Sequence, residues 1–126
     1  MKTFIEIGTC DFDTCQKLAD NGWQGIMIEP NPQAFKNMNR VMEEYDNVIT
    51  LPYAVSDYDG MIEFGVSKQD HTDRAVRGMS SIVADNHKGG RIFEYETWSK
   101  QEFLDKVIEV PCKRLDTIIY ENEVRT

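Results

Sequence analysis

The residues with the clearest capacity for chemistry are carboxylates set at the ends of two apolar runs. Phe4-Ile5-Glu6-Ile7 leads into Gly8, and Gly25-Ile26-Met27-Ile28 leads into Glu29-Pro30-Asn31-Pro32. A glutamate that closes a second apolar run about twenty residues after a glycine closes the first is the arrangement of a nucleoside-binding βαβ unit. In such a unit the glycine turns the chain outside the sheet. The carboxylate then accepts hydrogen bonds from both hydroxyls of a ribose laid across the strand ends. Glu29 is the leading candidate for that contact.

The turn after the first run narrows the choice of nucleoside. A dinucleotide pyrophosphate requires G-x-G-x-x-G, because bare backbone and helix N-terminal N–H groups must meet its negative charge. Here Thr9, Cys10, Asp11, Phe12 and Asp13 stand where further glycines belong. Two added carboxylates would repel a pyrophosphate, which argues against NAD. S-adenosyl-L-methionine carries no phosphate and brings a sulfonium and an ammonium beside one carboxylate, so Glu6, Asp11 and Asp13 are tolerable or useful neighbours. The candidate cofactor contacts of the opening unit are Glu6, Gly8, Thr9, Asp11, Glu29 and Pro30.

The elements that must position these residues follow from pattern. Short apolar runs bounded by turns predict parallel strands over Thr3–Ile7, Gly25–Glu29 and Val48–Leu51. Asp13 as N-cap with Gln16 three residues later, and Asn21-Gly22 as the stop, predict a helix over Thr14–Asp20. Asn31 before Pro32 caps a second helix, whose stripe of Phe35, Met38, Met42 and Tyr45 predicts packing on the sheet. The β-α-β-α-β alternation implies a right-handed parallel sheet.

The second half changes character. Asp57-Tyr58-Asp59-Gly60 is a turn between Tyr53-Ala54-Val55 and Met61–Val66, so strand three is expected to continue into an added antiparallel strand. Residues Ser67–Met79 read as a long loop, followed by Ser80–Val83 and a turn at Lys88-Gly89-Gly90. Arg91–Tyr95 reads as a strand, Ser99–Lys106 as a short helix begun by a capping box, Val107–Val110 as a half-buried strand and Leu115–Tyr120 as a terminal helix. The fold class is α/β, a Rossmann-like, partly parallel sheet with flanking helices and an antiparallel addition in the second half. At 126 residues the chain fits one domain, 1–126, and is short for a complete doubly wound enzyme.

Charge and cysteine usage exclude several classes. With 14 Lys and Arg against 22 Asp and Glu, the net charge of -8 repels phosphate backbones, so no nucleic-acid partner is expected. Three cysteines without a C-x-x-C pair, Cys10, Cys15 and Cys112, fit neither a disulfide framework nor a structural zinc site. No apolar run reaches the roughly 18 residues that span a bilayer, and the N-terminus enters a strand at once, leaving no signal peptide. The expectation is a cytoplasmic protein with no membrane partner. His71 with Asp70 and Asp73, and His87 with Asp85, are the other acid–base groups, and their spacing suits no metal, so none is expected.

Taken together, Phe4-Ile5-Glu6-Ile7-Gly8, Ile28–Pro32, Ala54-Val55-Ser56-Asp57 with Asp59-Gly60, Ser80-Ser81-Ile82, and Val110-Pro111-Cys112 leading to Arg114–Ile119 resemble the FkbM-type methyltransferases in order and spacing. The resemblance covers nearly the whole chain. It implies methyl transfer from S-adenosyl-L-methionine to a hydroxyl oxygen of a small molecule or sugar, with the cofactor over Gly8 and Glu29. It also implies that Tyr53–Ser56, including Ala54 and Val55, borders the adenine, and that Ser80, Ser81 and His71 lie on the cofactor or substrate side. No catalytic residue is assigned. Members usually continue past the Leu-Asp segment into a strand of the form I-K-x-D-x-E-G, whereas this sequence ends at Arg125-Thr126. The expectation is therefore a truncated domain, inactive alone or completed by a second copy or a partner chain. The alternative is a catalytically silent cofactor-binding or interaction module that keeps half of the fold.

Overall fold

The computed structural model describes residues 2–9, 15–67, 81–82 and 104–122. In chain order the elements are β1 (Thr3–Ile7), α1 (Gln16–Asp20), β2 (Gln24–Ile28), α2 (Pro32–Met42), β3 (Val48–Leu51), β4 (Ala54–Val55), β5 (Gly60–Ser67), β6 (Ser81–Ile82), β7 (Leu104–Lys113) and α3 (Leu115–Glu121). They fall into two compact units, Met1–Gly60 with Pro111–Thr126, and Met61–Val110.

In the first unit β1, β2 and β3 form a parallel sheet in that order. The register sets Phe4 opposite Gly25, Glu6 opposite Met27 and Thr50, and Ile5 opposite Ile26 and Ile49. Residues paired across strands share a face, and alternate residues take opposite faces. One face carries Phe4, Glu6 and Met27, and its core is Phe4, Ala19, Met27, Met38 and Met42 beneath α1 and α2. The other face gathers Ile26 and Ile28 around the fully buried Ile118 of α3, with Ile5, Leu51, Tyr53 and Val55 packed against them. A seven-residue helix leaves Ile7 and Ile49 of that face 50% and 43% exposed.

Helix α2 forms as its sequence directs. Asn31 adopts an extended backbone (φ -67°, ψ 117°), and its side-chain oxygen accepts from the N–H groups of Gln33 at 3.1 Å and Ala34 at 3.4 Å. Pro32 occupies the first turn, where its missing N–H costs nothing. The inner face buries Ala34, Met38 and Met42, and the helix ends at Met42, short of the Tyr45 that its apolar stripe includes.

Helix α1 departs from expectation at its start. Residues 10–14, with the expected Asp13 cap, lie outside the described residues. The helix begins at Gln16, with Cys15 at the cap position and no side-chain cap bond. Gln16 does not turn back within its own helix but donates to the Tyr45 hydroxyl at 3.5 Å, and that hydroxyl donates to Asp20. The stop is as expected: Gly22 takes a positive φ of 83° and its N–H bonds the Ala19 carbonyl at 3.0 Å.

Two expectations for the second half are corrected. Strand β4 does not prolong β3; it pairs in parallel with the end of β7, Ala54 opposite Cys112 and Val55 opposite Lys113. Pro52, which lacks an N–H, separates the two short strands. β7 is ten residues long and includes Leu104–Lys106, where a helix was expected, because the alternation of Val107–Val110 is propagated in both directions by neighbouring strands. In the second unit β5 lies between β7 and β6; the added strand over Met61–Val66 is present, but it does not pair with β4 across the Asp57–Gly60 turn and is antiparallel to β6, Phe64 opposite Ile82 and Gly65 opposite Ser81. The chain is thus mixed α/β, with a parallel sheet flanked by helices and a second, mixed sheet. The expected loop over 68–79 and the strand over Arg91–Tyr95 lie outside the described residues.

A distant carboxylate completes α3. Asp59 accepts from the Arg114 N–H at 2.8 Å and from the Thr117 hydroxyl at 3.1 Å, serving as a cap that the local sequence lacks. These bonds, the Arg114 N–H first, hold the Asp59 carboxyl below its ordinary pKa. A carboxyl with a depressed folded pKa stabilises the fold above its unfolded pKa and loses that contribution as pH falls through the folded value. Asp59→Asn is therefore expected to lower stability at neutral pH, with the gap to wild type closing in acid, as read by urea denaturation over a pH series. Gly25 supplies a second test. A Cβ there would lie 2.1 Å from Cζ of Phe4, whose ring lies over the β2 backbone. Gly25→Ala should cost about 1–3 kcal/mol through overpacking, with part of the loss recovered when Phe4→Leu is added, measured by the same denaturation.

Candidate functional site

The carboxyl ends of β1, β2 and β3 meet along one edge of the sheet, where parallel α/β sheets bind ligands. Pairing runs one residue beyond the strands: the Gly8 N–H donates to the Ile28 carbonyl at 2.9 Å, and the Glu29 N–H to the Leu51 carbonyl at 3.0 Å. Gly8 and Glu29 are thereby held side by side on adjacent strand ends. Gly8 has a φ of 78°, a left-handed conformation that favours glycine. Among the described residues no atom lies within 4 Å of where a Cβ would project.

Glu29 is only 4% exposed, and its Oε2 accepts the Asn31 N–H at 2.8 Å. Glu6 faces the same side of the sheet two residues before Gly8, and its Oε2 is buried without a hydrogen-bond partner among the described residues. A buried carboxylate oxygen left unpaired is costly, and a cationic or hydroxyl donor relieves that cost. The Cys15 thiol, at the start of α1, is pushed up to about 11 by burial and by the neighbouring Glu6 carboxylate, so it is a neutral thiol at physiological pH.

The other residues singled out by sequence are placed as follows. Thr9 is buried, with its hydroxyl donating to the sulfur of Met38 at 3.0 Å, so that side chain ties the turn to α2. Pro30 is half-buried between Glu29 and Asn31. Ala54 is buried and Val55 packs against the Ile118 cluster, on the segment that follows the carboxyl end of β3. Tyr53, just before them, carries the Lys113 ammonium 4.7 Å from its ring centroid, and Glu121 holds that ammonium at 2.6 Å. Ser81 belongs to β6 of the second unit, while Asp11, Ser80, His71 and His87 lie outside the described residues. Two features were not read from sequence. Cys15 beside Glu6 has no local signal, because the pair forms only when α1 packs on the sheet. The Asn31 N–H bond to Glu29 had one, since the flanking prolines leave that turn a single N–H.

This donor and acceptor set fits a ligand rich in hydroxyl and ammonium donors. Among the described residues nothing crowds the Gly8 turn, Glu29 offers a buried acceptor for hydroxyls, and Glu6 offers an unmatched carboxylate oxygen for a cation. A cavity of about 250 Å³ lies at the opposite, amino end of the strands, against Thr3, Gln24, Asn47, Ile49 and Asn122, and takes no part in this arrangement. Among the described residues no group of His, Cys, Asp and Glu could hold a metal ion, and no helix is long and apolar enough to cross a membrane.

Comparison with known families decides the affiliation. The profile of the Methyltransferase FkbM domain matches residues 6–126, from Glu6 through both units. The chain belongs to the FkbM methyltransferase family. No curated protein and no solved structure matches it. Membership assigns this FkbM domain to methyl-transfer chemistry, and the match begins at Glu6, in the strand that carries the orphaned carboxylate oxygen.

The neutral Cys15 thiol provides a test of this geometry. Alkylation of Cys15 by iodoacetamide in the folded FkbM domain should be slow at neutral pH and faster in Glu6→Gln, which removes the charge that opposes the thiolate. Peptide mass spectrometry over a time course reads the difference, and equal rates would contradict the placement of Glu6 against Cys15.

Proposed function

We propose that this FkbM domain binds S-adenosyl-L-methionine at the carboxyl ends of β1, β2 and β3 and uses it for methyl transfer to a hydroxyl oxygen of a small molecule or sugar. The observation that carries the reading is the pairing of Gly8 with Glu29 on adjacent strand ends, the left-handed glycine turn of one and the buried carboxylate of the other. Glu29 would accept the ribose hydroxyls. Glu6 would face the ammonium of the methionine portion, and Ala54 and Val55 would border the adenine. Bound there, the cofactor's sulfonium supplies an electrophilic methyl group, while the chain's own contribution is to orient the nucleoside and to keep its carboxylates out of bulk water.

Charge supports the same ligand. A net charge of -8 and a carboxylate at Glu6 favour a sulfonium and an ammonium over a pyrophosphate. The lack of a second glycine after Gly8 points the same way, since no phosphate needs to approach the backbone.

Isothermal titration of the chain with S-adenosyl-L-methionine and S-adenosyl-L-homocysteine is the direct test. Wild type should bind both, and Glu29→Gln should weaken binding about 10- to 100-fold, the value of hydrogen bonds to a charged acceptor. Binding that is unchanged in Glu29→Gln would remove the ribose assignment, and the absence of binding by folded wild type would remove the cofactor.

A further inference from the structure

We propose that Asn31 is a positioning residue for Glu29: its side chain, fastened to the first turn of α2, holds its own backbone N–H against the Glu29 carboxylate. The inference rests on the cofactor reading only for its consequence in binding; the geometry belongs to the free chain.

The sequence Glu29-Pro30-Asn31-Pro32 explains why one residue takes both tasks. Pro30 and Pro32 have no N–H, so Asn31 supplies the one backbone donor between Glu29 and Gln33. A residue that precedes proline is confined to extended conformations, and Asn31 shows φ -67° and ψ 117°. In that conformation its N–H points back to Oε2 of Glu29 at 2.8 Å while its side-chain oxygen points forward to the N–H groups of Gln33 and Ala34. Both Glu29 and Asn31 are 4% exposed, so water competes weakly for these bonds and a charge-assisted hydrogen bond there is strong.

The side chain matters because the N–H alone is not fixed. Without the forward bonds, the Asn31 carbonyl still accepts the Phe35 N–H at 2.8 Å, but that bond holds the peptide unit after the residue, and the unit before it, which carries the N–H toward the carboxylate, loses its side-chain tie to α2. With them, the orientation of Glu29 is tied to the axis of α2, which Met38 and Met42 anchor in the core. A residue serving only as a helix cap would affect α2 stability and leave Glu29 indifferent. The two roles therefore separate by measurement.

The test uses the full chain and reads the residue-31 amide proton by NMR in the absence of ligand, then S-adenosyl-L-homocysteine affinity by calorimetry. Glu29→Gln should move the residue-31 amide proton markedly in the wild-type background and in Asn31→Ser, which keeps a capping oxygen. The same change should have little effect on that proton in Asn31→Ala. Lys36→Gly, an exposed substitution in α2 that weakens the helix without touching the turn, is the control and should behave as wild type. In binding, Asn31→Ala should weaken affinity roughly tenfold, Asn31→Ser should restore it, and Asn31→Ala should add little once Glu29→Gln is present. An amide proton that responds to Glu29→Gln equally in Asn31→Ala and wild type overturns the proposal, as do equal affinity losses in Asn31→Ala and Lys36→Gly. Where wild type takes no adenosylhomocysteine yet the amide proton follows the stated pattern, the positioning role stands and the cofactor reading falls.

Discussion

The hydrogen bond from the Gly8 N–H to the Ile28 carbonyl closes the register of β1 on β2, and the rest of the first unit depends on that register. Side chains alternate with a period of two, so a slip of one residue would exchange the faces of the whole strand. Phe4 would leave the core that it shares with Met27 and Met38, and Glu6 would leave the side of Cys15. Gly8 would also lose its place beside Glu29. The apolar core and the polar edge are thus specified by one set of backbone bonds, and neither can be shifted without the other.

Helix α2 carries that specification outward. Its first turn is tied to the end of β2 through Asn31, and Met38 further along accepts the Thr9 hydroxyl from the end of β1. One rigid element touches both strand ends that form the candidate site. The two faces of the sheet are consequently unequal. The α1 and α2 face is closed over methionines and Phe4, while on the other face Ile26 and Ile28 meet Ile118, the one buried residue of a helix capped from a distance by Asp59.

Local pattern made the first three strands and the helices between them largely readable. Strands β1 and β3, the cap and proline of α2, and the stop at Gly22 each depend on residues close in sequence, and each lies where periodicity and turn chemistry place it. Gly8 and Glu29 were legible for the same reason, because a parallel βαβ unit brings the ends of consecutive strands together. What escaped depends on distant partners. The length of β7 is set by strands on either side of it, and β4 is defined by Cys112 and Lys113 rather than by its own two residues. The burial of the Glu6 Oε2 and the packing of Thr9 on Met38 likewise exist only once α1 and α2 cover the sheet.

Phe4 and Gly25 also define a rule of inheritance. Their Cα atoms are cross-strand partners, and the aromatic ring occupies the volume that any side chain at 25 would need. Neither position is free to drift alone: a sequence that acquires a larger residue at 25 must give up the ring at 4, while a ring retained at 4 commits 25 to glycine. Related chains that keep this pairing should therefore change the two positions together, a correlated exchange fixed by packing beneath the sheet and independent of any ligand held at its edge.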